Sequence, residues 1–239
     1  MRDTSSRLAS LDAFRGFTIA AMLLVNNPGD WGHLYSQLEH AKWNGWTFTD
    51  CIFPFFLFIG GVAMALSLGR LAGRWLASSV NRTEQTVWML LAGLSCLWVG
   101  VILDTILMPI NKSLWTPSYC LLMTGWALVV FASFYWLLDV NPYAPVREAA
   151  ARWTRPFVIY GMNALFIFAL SGFLAKMFGY IKFAQADGSL RSLGKTLYAP
   201  IAALPIGPVN TSLLHAMLFN ACMFAVAWGM WRKKWFVKV

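Results

Sequence analysis

Residues 38–61 read LEHAKWNGWTFTDCIFPFFLFIGG, and this stretch decides what kind of protein the chain encodes. Its first half is polar and contains His40, whereas its second half begins an apolar run that is long enough to cross a bilayer. Trp43 and Trp46 lie between the two halves, and aromatic rings concentrate at the membrane interface. The stretch therefore places a histidine and an acid, Asp50, at the mouth of a predicted membrane span.

The composition of the whole chain indicates an integral membrane protein. Hydrophobic residues make up 59% of the 239 positions and charged residues only 12%, about half of the charged fraction of soluble domains. We expect one all-α transmembrane domain over residues 1–239, a polytopic helical bundle. Its apolar runs predict about six transmembrane helices, roughly at 9–27, 47–68, 87–109, 117–138, 156–177 and 212–231.

The basic residues indicate membrane topology rather than binding to nucleic acid. The net charge is +9, and a topology with both termini in the cytoplasm puts 13 of the 19 Lys and Arg residues inside. The predicted inner loop 139–155 is then basic and polar, whereas the loops that carry His40, Lys112 and Lys195 face outward. Within the last of these loops, residues 190–204 predict a short interfacial or re-entrant helix.

The first span contains two charged residues, Asp12 and Arg15. Only ten residues separate Arg15 from Asn26, which gives about half of the helix length that a hydrocarbon core needs. The span must therefore begin near residue 8, and both charges enter the inner leaflet, where their i,i+3 spacing lets them neutralise each other. Two interpretations follow: Arg15 reaches the headgroups with Asp12 as its local partner, or the pair faces the bundle interior and lines a site.

Candidate functional residues concentrate on the outer side. His40 is held between interfacial tryptophans, and an imidazole in such a place can act as a general base or a nucleophile. A solvated loop histidine is the alternative, and it is the interpretation that we give to His33. Asp50 follows Thr47 by three residues, which is the spacing of a capping box. Lys112 either binds an anion such as phosphate or flanks the membrane.

Other polar residues fall inside predicted spans. Asp104 is a site candidate because intramembrane charges are costly, although a position near the interface would let it face water. Asn163 is expected to hydrogen-bond across helices, because a buried amide needs partners. Thr116 and Pro117 predict the N-cap and first residue of the fourth span. The four cysteines show no metal-like spacing, so we expect small core residues, no disulfide framework and no metal site.

The motifs, taken in order, resemble those of the heparan-alpha-glucosaminide N-acetyltransferase family. SLDAFRG at 10–16 and VN at 25–26 are followed by HA-x-WNG at 40–45 and D-x-x-FP at 50–54. The match continues with NKSLWT at 111–116, GMN at 161–163 and N-x-SLL at 210–214.

This resemblance implies a polytopic acetyltransferase that uses cytoplasmic acetyl-CoA as co-substrate. The acceptor would be an amino sugar or cell-envelope glycan on the outer side. His40 matches the catalytic histidine, as general base or acyl carrier, and Asn26 matches the asparagine that assists it. Further residues that we expect to contact substrate are Asp12, Arg15, Trp43, Asn44, Asp50, Asn111, Lys112, Trp115 and Asn163.

One departure from the family pattern keeps two other functions open. Family members have about ten or eleven spans, so an internal block of helices is missing from a six-span chain. A non-catalytic membrane scaffold or assembly partner derived from such an enzyme would fit that loss. A small-molecule transporter would use Asp12, Arg15, Asp104 and Asn163 as a polar midplane site. We expect membrane lipid and no nucleic acid as partners, a location in a bacterial inner (plasma) membrane, and leave a homo-oligomer open.

Overall fold

The computed structural model describes residues 8–67, 81–184 and 189–237. Most of the predicted linker 70–85, with Arg70 and Arg74, lies outside these ranges. Most of the described chain is helical and only two short strands are present in it, which confirms the all-α class. Its elements are α1 (Ala9–Asn26), α2 (Phe48–Ser67), α3 (Arg82–Ile106), α4 (Pro117–Tyr135), α5 (Ala144–Met162), α6 (Ala164–Tyr180), β1 (Lys182–Ala184), β2 (Leu190–Ser192), α7 (Leu193–Ala202) and α8 (Pro208–Arg232).

Several helices have the length and hydropathy of membrane spans. Among the described residues, three qualify individually: Arg82–Ile106, Pro117–Val140 (α4 with the π-helical turn Trp136–Val140) and Pro208–Arg232. The bent pair of α5 and α6 qualifies as a fourth span if the two helices are counted together. The protein is therefore a helical membrane protein. The number of six spans and the orientation of the termini stay predictions.

The chain between α4 and α6 differs from the sequence prediction. The expected polar loop 139–155 is wrong from Ala144 onward, because α5 begins there with a proline in its first turn. The expected continuous span 156–177 is also wrong, because the helix breaks at Asn163 and bends by 72°. The basic residues of α5 lower its mean hydropathy, so a hydropathy window does not recognise this helix. The window also misses the break at Asn163, because the adjoining run is apolar.

Other boundaries agree with the sequence more closely. Thr116 and Pro117 are the N-cap and first residue of α4, as predicted. α7 forms within the segment for which a short helix was expected, after the antiparallel pair β1 and β2. α3 begins five residues earlier than expected, at Arg82, because Asn81 caps it by accepting a hydrogen bond from Thr83 N.

α1 lies at the centre of the bundle and contacts α2, α4, α5 and α8. Two glycines allow its backbone to meet that of α5: a Cβ atom at Gly16 would lie 1.6 Å from Phe157 O, and one at Gly161 2.0 Å from Asp12 O. α8 runs antiparallel to α1, because Ser212 Oγ accepts from Asp30 N while Asn220 Nδ2 donates to Ala20 O. The start of α8 therefore lies beside the loop that follows α1, and its end lies near the start of α1.

Candidate active site

The carboxylate of Asp50 is the anchor of the site. It lies in the first turn of α2 and its side chain is completely buried. One oxygen, Oδ2, accepts hydrogen bonds from Ala41 N, Thr47 N and Thr47 Oγ1, each at 3.1 Å. The bond from Thr47 N is the half of the predicted capping box in which the acid reaches back to the N-cap residue. Asp50 thus fixes the loop 41–47 onto the helix that follows it.

The second carboxylate oxygen, Oδ1, faces an imidazole and an ammonium group. His40 Nδ1 lies 2.8 Å from Oδ1, and Lys112 Nζ lies 2.9 Å from the same atom. Lys112 Nζ is also 2.9 Å from His40 Nδ1, so the three atoms form a nearly equilateral triangle. The His40 side chain is 58% exposed, and no residue of the described ranges hydrogen-bonds its Nε2. A nitrogen that can exchange protons therefore faces the outside of the bundle, and a buried carboxylate orients the ring.

The backbone of Asp50 depends on a residue far along the chain. Pro54 has no N–H, so the α-helical hydrogen bond that the Asp50 carbonyl would normally accept is absent. Tyr119, fully buried on α4, donates its hydroxyl to this carbonyl at 2.8 Å. The first turn of α2 is thereby tied to α4, and α4 begins directly after the loop that carries Lys112.

The loop between α3 and α4 brings Lys112 to the triangle. Asp104, the acid that was predicted within a span, accepts a hydrogen bond from Ile110 N at 2.6 Å and thereby holds this loop in place. Thr116 Oγ1 accepts from Asn111 N at 3.0 Å. The loop meets the histidine loop directly, because Gly45 N donates to Ile110 O at 2.8 Å and Asn111 Nδ2 lies 3.4 Å from Asn44 Oδ1. Asn111 is buried and shapes the loop, whereas Lys112 extends from it.

Aromatic residues are frequent in the segments that carry the triangle. Trp115 adopts a left-handed backbone conformation (φ 50°) and packs edge-on against Phe53 and Tyr119, with ring centroids 6.2 and 5.7 Å apart. A positive φ is strained for a bulky residue and is frequent at functional sites. Trp43 is 59% exposed, and Trp46 contacts Trp126. Both tryptophans of the expected aromatic bracket are exposed, and the bracket around His40 stays a prediction.

Three of the predicted site residues lie away from His40. Asp12 and Arg15 contact each other at 3.5 Å near the start of α1, and Asp12 is buried. Asn163 donates to Trp235 O at 3.1 Å and accepts from Val237 N at 3.0 Å, so its amide binds the segment after α8. Asp50 packs near the other end of α1, because its neighbour Ile52 contacts Met22 and Val25. About ten residues of α1, or 15 Å along the helix, therefore separate Asp12 from the end of α1 that lies near Asp50.

Asn26 lies on the same side of the bundle as His40 but does not touch it. It is the last residue of α1 and its side chain is exposed, and the side-chain amide makes no hydrogen bond to another described residue. Its neighbour Val25 packs against Leu38 in the histidine loop. The amide is therefore free to meet a substrate, whereas a direct bond that orients His40 comes from Asp50.

Sequence reasoning missed two features of the site. It assigned Asp50 to capping and substrate contact, although the ten-residue separation from His40 across one loop was a local signal that the two could meet. It gave Tyr119 no role, and no sequence signal connects that residue with Pro54. The described residues contain no group of three or more His, Cys, Asp or Glu side chains that could hold a metal ion.

Comparison with known proteins supports the motif resemblance. The heparan-alpha-glucosaminide N-acetyltransferase of Mus musculus is 33% identical over 125 residues, which cover 52% of this chain and 16% of the mouse protein. The matched half of this chain is thus similar in sequence to a small part of that acetyltransferase. The Homo sapiens protein of the same name is 33% identical over 120 residues, 50% of this chain and 15% of the human one. No family model matches.

Proposed function

We propose that the protein transfers an acetyl group from acetyl-CoA to an amine of an amino sugar or envelope glycan, with His40 as the general base. The observation that carries this proposal is the pairing of exposed His40 with buried Asp50 at 2.8 Å. The likeness to the heparan-alpha-glucosaminide N-acetyltransferases supports the chemistry, but the alignment spans about one sixth of those proteins. Donor, acceptor and activity are therefore proposals for this chain.

The geometry suits proton removal at Nε2. When Asp50 accepts a hydrogen bond from Nδ1–H of His40, the Nε2 lone pair is left to accept a proton. As the neutral amine attacks the thioester carbonyl, the N–C bond forms, the C–S bond breaks and the amine proton passes to Nε2. Nε2 then returns that proton to the departing thiolate, and the products are the N-acetylated amine and free CoA. The buried carboxylate stabilises the imidazolium that forms in between.

Asn26 would act on the oxyanion in this scheme. Its exposed amide is a hydrogen-bond donor at the end of α1, on the side of the bundle where His40 lies. Removal of a single oxyanion donor lowers kcat by about 100-fold or more in enzymes that form such an intermediate. The distribution of Lys and Arg supports an outward position for both residues. A bacterial plasma membrane is the location that we propose for the protein.

The decisive experiment is transfer of labelled acetyl from acetyl-CoA to glucosamine by purified protein in lipid. His40→Ala is expected to lower kcat by about 100- to 10,000-fold, the usual contribution of a general base, without loss of folded protein. His33→Ala is the matched control and should keep activity. If the wild-type protein binds acetyl-CoA but transfers nothing, the non-catalytic scaffold replaces the enzyme as the better hypothesis. If His40→Ala transfers as well as the wild type, another residue is the base.

A further inference from the structure

We infer that Lys112 selects the tautomer of His40, and that an oxyanion on the substrate releases the histidine for base catalysis by drawing Lys112 away. The release of His40 for catalysis rests on the proposed function, whereas the selection of the tautomer by Lys112 does not depend on activity. Lys112 is a positioning residue in this scheme, because it acts through His40. The recognising chemistry is a phosphate, sulfate or carboxylate group.

The argument begins with the two contacts of His40 Nδ1. This one nitrogen lies 2.8 Å from Asp50 Oδ1 and 2.9 Å from Lys112 Nζ. A neutral imidazole nitrogen is either a donor or an acceptor. If Nδ1 carries the proton, it donates to the carboxylate but faces an ammonium donor. If Nδ1 is unprotonated, it accepts from Lys112 but faces the lone pairs of Asp50. Both contacts cannot be hydrogen bonds at the same time.

The two arrangements have opposite consequences at Nε2. With the proton on Nδ1, Nε2 has a free lone pair and can take a proton from an amine. With Lys112 bound to Nδ1, the proton of the neutral ring is on Nε2, and the atom that faces the outside cannot act as a base. Neutral imidazole prefers the Nε2–H tautomer intrinsically, and Lys112 reinforces that preference. The resting triangle therefore holds His40 in the inactive tautomer.

Lys112 is suited to move between two partners. Its side chain is 30% exposed, and its four-carbon stem rotates freely, whereas Asp50 is enclosed. Asp50 stays satisfied when the ammonium leaves, because Ala41 N and Thr47 still donate to Oδ2 and Nδ1–H of His40 then donates to Oδ1. An oxyanion beside the loop would compete for the ammonium through charge-assisted hydrogen bonds. Departure of Lys112 also removes a like charge from the imidazolium that forms during transfer.

Nitrogen NMR of histidine-labelled protein in lipid tests the structural part without any activity. The chain has three histidines, and His40→Gln identifies the His40 signals by their loss. At a pH where the ring is neutral, wild-type His40 should show a protonated Nε2, and Lys112→Met should move the proton to Nδ1. Added inorganic phosphate should shift wild type in the same direction. Lys42→Met removes a charge from the exposed histidine loop and serves as the control that should change nothing.

Identical tautomers in wild-type and Lys112→Met protein would overturn the inference, whether or not the protein transfers acetyl groups. A tautomer shift in a protein without transferase activity would uphold the selection of the tautomer by Lys112 and contradict the proposed function. Lys112→Arg keeps the positive charge and should retain the wild-type tautomer. If Lys112→Arg instead behaves like Lys112→Met, the preference does not come from donation by a cation, and the inference fails.

Kinetics then identify the source of the oxyanion. The donors to compare are acetyl-CoA and N,S-diacetylcysteamine, a thioester without phosphates; the acceptors are glucosamine and glucosamine 6-phosphate. If the donor supplies the oxyanion, the wild-type protein should transfer acetyl faster from acetyl-CoA than from N,S-diacetylcysteamine. If the acceptor supplies it, transfer should be faster to glucosamine 6-phosphate than to glucosamine. Lys112→Met should lose this preference through faster transfer with the uncharged partner. An unchanged preference in Lys112→Met would contradict release by an oxyanion.

Discussion

Two His–Asp pairs, one within the loop after α1 and one between that loop and the first turn of α2, have the same contact distance but different surroundings. His33 Nδ1 lies 2.8 Å from Asp30 Oδ2, and His40 Nδ1 lies 2.8 Å from Asp50 Oδ1. Asp30 is 43% exposed, whereas Asp50 is completely buried. Among the described residues, a lysine joins only the second pair, and only the second carboxylate is anchored to a helix and a loop together.

The difference shows why contact distance alone does not identify a functional pair. An exposed carboxylate shares its hydrogen bonds with water, so the ring beside it can rotate away at little cost. A buried carboxylate needs its partners, because an unmatched buried charge is expensive. His40 is therefore held in place by the free energy of burying Asp50, and His33 is not.

The largest effect is expected in catalysis. Asp50→Asn should lower kcat for acetyl transfer by about 100-fold or more, the range of a lost general base, because its amide can donate to Nδ1 and leave the proton on Nε2. Asp30→Asn should leave kcat unchanged. Steady-state kinetics with labelled acetyl-CoA measure both variants, and equal losses would show that the pairs are equivalent.

The next effect concerns stability. Asp50→Ala should lower the free energy of unfolding by roughly 3 kcal/mol, because it removes the buried partner of Lys112 and His40 together with the capping of the 41–47 loop. Asp30→Ala should cost less than about 1 kcal/mol, as exposed pairs usually do. Denaturant unfolding of both variants in the same detergent measures the two changes in the free energy of unfolding. Similar losses at the two positions would refute the argument from burial.

A smaller effect is expected at the tyrosine hydroxyl groups that support each region. Tyr119→Phe leaves the buried Asp50 carbonyl without a donor and should cost about 1–3 kcal/mol. Tyr35→Phe removes an exposed contact with Asn210 and should cost less. Pro54→Ala restores the helical N–H, so adding Tyr119→Phe to that variant should cost little. Additive losses in this double-mutant cycle would show that the hydroxyl does not replace the missing hydrogen bond of Pro54.

The smallest effect is a pH dependence at the exposed pair. Hydrogen bonds from Gly32 N–H and from His33 hold the pKa of Asp30 below its ordinary value of 3.8. A lowered folded-state pKa means that Asp30 contributes stability above about pH 3.8 and loses this contribution as the pH falls through the lowered pKa. An NMR titration should show this pKa moving toward 3.8 in His33→Ala. If the pKa of Asp30 does not change in His33→Ala, the hydrogen bond from Gly32 N–H is the cause of the lowered pKa.

The sequence predicted much of the site because several of its parts are local. Hydropathy located α1, α2, α4 and α8 within a few residues, since each contains a long apolar run. His40 and Asp50 are ten residues apart, and a short loop that ends in a capping turn can bring such positions together. The order of short motifs along the chain, of which HA-x-WNG is one, identified the family resemblance. The break at Asn163 was missed because hydropathy averages over a window and does not register a bend.

The sequence by itself determined that the chain is a helical membrane protein with a histidine at the mouth of α2, because burial in lipid requires apolar segments and internal backbone hydrogen bonds. Only the tertiary structure decided which groups converge on that histidine. Lys112 is 62 residues from Asp50, and Tyr119 is 69 residues from it. These contacts depend on how α4 packs against α1 and α2, and side-chain packing between helices leaves no periodic signal in the sequence. The histidine and the acid of the site are therefore close in sequence, whereas the groups that set their chemistry come from distant parts of the chain.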